Sequence, residues 1–124
     1  MANVEIYIES PELEEVVVWI EEKLSGAALL SEDDDLLVIE GKYKGSDVPV
    51  VIQRSVEDGP FVGVWFDADK TPWETDAQCA HEAHKRFGLT VQCDPGDAYS
   101  QPDQFLQIKE GVESIITIDL PPED

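Results

Sequence analysis

The stretch Asn3-Val4-Glu5-Ile6-Tyr7-Ile8-Glu9 alternates strictly, with Val4, Ile6 and Ile8 to one side and Asn3, Glu5, Tyr7 and Glu9 to the other. A period of two places successive side chains on opposite faces, so these residues form a strand with one buried and one wetter face. Further short stretches read as strands at 36–43, 48–56, 61–67, 89–93, 105–109 and 114–120. Polar turns such as Lys44-Gly45-Ser46-Asp47, Glu57-Asp58-Gly59-Pro60 and Glu110-Gly111 separate several of them. A chain patterned in this way must build a sheet, largely by antiparallel neighbours.

Helical spacing occurs in two segments. Ser10-Pro11 supplies an N-cap and a first-turn proline, and Glu12, Glu14 and Glu15 suit the positive end of the helix dipole. Leu13, Val17, Ile20 and Leu24 then form one stripe with Val16 beside it, and Ser25-Gly26 ends the helix. Val18 lies off the stripe toward solvent, and Trp19 lies off it at the edge of the core. The second helix opens at Thr71-Pro72 or Thr75-Asp76 and runs to Phe87, with Gly88 as its cap. Trp73, Ala77, Ala80, His84 and Phe87 share one face, with Ala83 at the margin. Residues 31–35, Ser-Glu-Asp-Asp-Asp, are expected to form a loop, as is the Pro/Gly-rich segment 94–103.

The expected order is β-α-β-β-β-α-β-β-β. It predicts an α+β fold: a two-layer sandwich, its largely antiparallel sheet of five to seven strands carrying two helices on one face. With 124 residues, 42% of them hydrophobic, the chain is sized for one core. A single domain over 1–120 is expected, followed by a frayed tail at 121–124. The opening Met-Ala-Asn-Val-Glu is not a basic region leading into an apolar one, and Val-Val-Val-Trp-Ile is too short to span a bilayer. A cytoplasmic location is therefore expected, with Cys79 and Cys93 as free thiols.

Charge narrows the choice of partner. Asp and Glu number 28 against 8 Lys and Arg, a net charge of −20. Such a field repels nucleic-acid phosphates and anionic lipid heads and attracts basic proteins. Nucleic acid and membrane are thus disfavoured partners. The charge admits three origins: contact with a basic protein, imitation of nucleic-acid phosphates by rows of carboxylates, or general solubility.

Two helices cover one face of a sheet this wide. The polar-rich side holds Glu5, Tyr7, Glu9, Glu40, Lys42, Gln53, Trp65, Asp67, Thr90, Gln92, Gln107, Lys109, Thr117 and Asp119. The apolar side holds Val4, Ile6, Ile8, Val62, Val64, Phe66, Leu89, Val91, Ile116 and Ile118. Trp65 and Tyr7 should then stand on a face no helix covers, among carboxylates and amides. Aromatic anchors within a polar rim are the composition of a protein-recognition surface.

The stretch 64–71, Val-Trp-Phe-Asp-Ala-Asp-Lys-Thr, resembles the first motif of the haloacid dehalogenase-like phosphatases, an apolar strand running into Asp-x-Asp-x-Thr. The resemblance implies Asp67 as phosphoryl-accepting nucleophile, Asp69 as general acid–base, a magnesium ion, and a doubly wound parallel sheet. The patterning around the motif predicts an antiparallel meander instead. His81 and His84 lie three apart, but His84 falls within the apolar stripe and Cys79 is expected on the far side of the helix. No closed zinc site is expected from them. Asp94, Asp97 and Asp103 do not match the ligand order of a calcium loop. No metal, no cofactor and no catalytic residue are therefore expected.

In size, acidity and small α+β build the chain is similar to bacterial immunity proteins, which block a toxin sterically and electrostatically. That resemblance implies a basic protein partner, such as a toxin, and no enzymatic activity. The partner-binding candidates are Tyr7, Trp65, Asp67 and Asp69, with Asp33, Asp34 and Asp35 as a second patch. Three other readings remain: a homodimeric or scaffold domain whose acidity serves only solubility, a DNA-mimic inhibitor, and a phosphatase-like enzyme at Asp67 and Asp69.

Overall fold

The computed structural model describes residues 3–56, 59–95 and 104–117. In chain order the elements are β1 (Val4–Glu9), α1 (Leu13–Lys23), β2 (Ser25–Glu32), β3 (Leu36–Tyr43), β4 (Ser46–Gln53), β5 (Phe61–Phe66), α2 (Asp76–Phe87), β6 (Val91–Cys93), β7 (Gln104–Lys109) and β8 (Val112–Thr117). All eight strands join one antiparallel sheet in the order β2-β3-β4-β5-β1-β6-β7-β8. The fold is α+β with both helices packed on the sheet's apolar face, α2 lying over β1, β6 and β7.

The sheet exceeds the expected five to seven strands because residues 25–32 form β2. Ser25-Gly26 does not end the first helix in a left-handed cap. Leu24 is already extended (φ −120°, ψ 138°), and the chain passes directly from helix into strand. Its sequence, Ser-Gly-Ala-Ala-Leu-Leu-Ser-Glu, has neither alternation nor β-branched residues, and an edge strand exposed along most of its length needs neither. The helix also starts later than expected. Ser10 takes a positive φ of 48°, and the N-cap is Glu12, which makes no side-chain capping bond.

Register follows the hairpins. Lys44-Gly45 and Glu110-Gly111 both have positive φ at each turn residue, the geometry that matches the twist of antiparallel strands. Val4, Ile6 and Ile8 lie opposite Phe66, Val64 and Val62, and Val50 and Ile52 continue the same face. In β8 the expected parity is reversed. The turn sets Ile108 opposite Glu113 and Leu106 opposite Ile115, so Ile115 faces the helices and Ile116 the open side. Thr117, expected on the polar face, accordingly takes the helix-side parity. Ile118 and Asp119 lie outside the described residues, as do Asp97, Asp103 and the tail at 121–124. β4 also ends at Gln53 and not at residue 56.

The core includes an aromatic knot. Trp19, Phe66, Trp73 and Phe87 meet with ring centroids 4.8–6.0 Å apart, mostly edge to face. Trp19 is buried in this knot, where the sequence pattern had set it at the core's edge. Both indole N–H groups donate to one carboxylate: Trp19 to Glu82 Oε2 at 3.1 Å and Trp73 to Glu82 Oε1 at 3.2 Å. The Lys23 ammonium pairs with the same group at 2.7 Å. Burial alone would raise the Glu82 carboxyl; the bonds from Lys23, Trp19 and Trp73 outweigh it and hold the group below its usual range.

Candidate protein-binding face

The face opposite the helices is built by the outward parity of the central strands. Trp65 lies directly across from Glu5 on β1 and Val51 on β4, and Val51 in turn from Val38 on β3. An apolar row of Val38, Val51 and Trp65 thus crosses adjacent strands and ends at a carboxylate. One pleat along, Tyr7 lies over Gly63, close enough that a Cβ there would touch the ring in ordinary contact at 3.6 Å. Tyr7 also meets Phe105 edge to face at 6.2 Å, across the intervening β6. Between them Gln92 is buried on that strand, its amide donating to Gln107 Oε1 at 2.8 Å.

An electrostatic corner lies beside this face, where the start of α2 meets β1. The Glu5 N–H reaches Asp76 Oδ1 at 3.4 Å, at the start of α2. Burial pushes the Asp76 carboxyl up to about 6; the Glu5 N–H opposes the shift, and the charges of Asp94 and Glu5 add to it. The Tyr7 phenol is pushed up to about 12, first by burial and then by Glu5, Asp76 and Asp94. The corner is thus strongly electronegative, with Tyr7 as a neutral hydrogen-bonding tip among acids.

The expected site residues divide into three places. Tyr7 and Trp65 share the open face. Asp67 follows β5 at the end nearest the β3–β4 hairpin, exposed, its N–H donating to Pro49 O at 2.9 Å. Asp69 lies beyond it in a cleft of about 840 Å³ shared with Tyr43, Lys44, Lys70 and Trp73. Asp33, Asp34 and Asp35 lie at the opposite end of the sheet, in the β2–β3 turn. Asp33 is a turn-former: its Oδ1 accepts from the N–H groups of Asp35 and Leu36, both at 2.8 Å. Those bonds hold its carboxyl below the usual range, while Asp34 and Asp35 remain outward.

The residues weighed for chemistry are placed differently from the metal and phosphatase readings. The sheet around Asp67 is antiparallel, not the doubly wound parallel sheet that a haloacid dehalogenase-like site would imply. Cys79 faces the core and is fully buried, contrary to the expected far-side position, and burial raises its thiol well above the ordinary value. Burial likewise pushes Cys93 up to about 12. His84 bonds through Nδ1 to Leu89 O at 2.7 Å and accepts the Gly111 N–H on Nε2 at 3.0 Å, tying the β7–β8 turn to α2. His81 pairs with Glu113. Among the described residues no three His, Cys, Asp or Glu side chains converge as a metal site, and no helix is long and apolar enough to cross a membrane.

Sequence reasoning missed Phe105 and Asp76 as members of this face and its corner. Phe105 is at an odd position in a short strand whose parity gives no hint of its meeting Tyr7. Asp76 looked only like a helix-opening residue. Comparison with protein-family models, curated proteins and solved structures returned no match to this chain.

Proposed function

We propose that the protein is a non-enzymatic binding module whose acidic surface engages and blocks a basic protein, as an immunity or inhibitor protein does. The observation that carries this reading is the open sheet face. Trp65, Tyr7 and Phe105 lie there, with Glu5 directly across from Trp65, in a chain of net charge −20. Half-buried aromatics are pre-ordered, so they supply contact area at little entropic cost, while the carboxylates speed encounter and select Lys and Arg. Asp67 and Asp69 extend the acidic rim at one end of the sheet, and Asp34 and Asp35 at the other.

Capture from lysate by immobilised wild-type protein and by Trp65→Ala/Tyr7→Ala, at low and high salt, tests the reading. A basic protein retained by the wild type, released by salt and lost with the double substitution is expected. Retention of nothing basic at low salt, or equal retention by the variant, would refute it.

A further inference from the structure

Among the described residues, large exposed apolar side chains concentrate at one margin of the sheet. Leu29 and Leu30 on β2 are 52% and 59% exposed, and Leu36 at the start of β3 is 38% exposed. Among the described residues β2 is the terminal strand, and no other described strand pairs with the outward peptide groups along it. Beside Leu30, the small residues Gly26 and Ala28 leave a depression of about 270 Å³, with Glu40 and the Lys42–Asp47 ion pair at its rim. β2 itself has a single charged residue, Glu32, and neither Lys nor Pro, so its two register shifts are the main feature that would deter strand addition. Asp34 and Asp35 stand exposed at its end.

We propose that the β2 edge takes an extended segment of the basic partner as an added strand, a point of attachment separate from the Trp65 face but resting on the same reading of the protein as a binder of basic proteins. Backbone hydrogen bonds would hold the segment. Leu30 and the depression, on the open-face side of β2, would take its alternate apolar side chains, while Asp34 and Asp35 at the end of the strand would draw its lysines or arginines. Charge chooses this occupant over a second copy, because two chains of −20 repel each other. Register also favours a short segment: shifts between Ser25 and Ala28 and between Leu29 and Ser31 bend the strand, leaving only short straight stretches.

Titration of the ¹⁵N-labelled chain with synthetic peptides, followed by amide chemical shifts, tests the proposal. The probes are an alternating Lys-Val peptide, the same peptide N-methylated at alternate amides, and an alternating Glu-Val peptide. Shifts confined to residues 25–36 with Lys-Val alone are expected. Leu29→Lys/Leu30→Lys, with far-UV CD confirming the fold, should weaken that binding at least roughly tenfold. Equal binding of the N-methylated peptide, shifts spread over the whole acidic surface, or no shift at 25–36 would each overturn the proposal. Shifts centred on Trp65 and Tyr7 would overturn it while leaving the proposed function standing. Sedimentation without peptide provides a further arm: a dimer abolished by the double substitution would assign the edge to a second copy and overturn it too.

Discussion

Glu82 ties α1 to α2 and to the segment before α2 through a single carboxylate that accepts from two indoles and one ammonium. Removing it strands two largely buried N–H donors and leaves Lys23 without its partner. Glu82→Ala should therefore cost about 2–3 kcal/mol, read as a lower urea midpoint by tryptophan fluorescence. Glu82→Gln keeps an acceptor oxygen and should cost roughly half as much. An alanine variant as stable as wild type would show that the indoles find other acceptors. Asp76 acts in the opposite direction. Its carboxyl moves from 3.8 to about 6 on folding, so the folded state binds more protons between those pH values. Stability contributed here is therefore greatest below pH 4 and declines as pH rises through 4–6. Asp76→Asn should stabilise the protein at pH 7 by about 1 kcal/mol, allowing for solvent screening, and by far less at pH 4. Thermal melts of both proteins at the two pH values check this. Neither residue stood out in a sequence containing 28 acids, because each owes its role to partners brought from elsewhere in the chain.

At the scale of elements, local signals were accurate where chemistry is local. Thr75 caps α2 by accepting from Gln78 N–H, and Gly88 closes it in the left-handed region with φ 71°. The turns Lys44-Gly45 and Glu110-Gly111 were visible as turn sequences. Parity in β8 was not, because Ile115, Ile116 and Ile118 fit either face. Counting out from the two-residue turn would have resolved it, since Lys109 opposite Val112 fixes every later pair. β2 was hidden for another reason: its strand state depends on an approach made in space. Gly41 on β3 lies so close to the end of α1 that an added Cβ would sit 2.8 Å from Leu24 Cβ. Gly41→Ala should force α1 and β2 outward at a cost of about 1–3 kcal/mol, measurable by urea denaturation. Hydrogen exchange should rise first in the amides of β2. A neutral result would mean that the helix end moves freely.

For the whole molecule, charge is the dominant feature. Among the described residues Lys23, Lys42, Arg54 and Arg86 pair with carboxylates, which leaves most acids to repel one another. Raising sodium chloride from roughly 0.05 to 0.5 M should screen that repulsion and increase the urea midpoint. A flat response would mean that the carboxylates are spaced widely enough to ignore each other. The amino-acid sequence by itself determined the α+β class, the antiparallel sheet, the helix-covered face and the outward aspect of Trp65 and Tyr7, since these follow from periodicity and turn chemistry. Tertiary structure alone decided the eighth strand, the union of two tryptophans on Glu82, the corner that raises Asp76 and the meeting of Tyr7 with Phe105. Those depend on which distant residues share one small volume, and periodicity along a chain carries no distances between its elements.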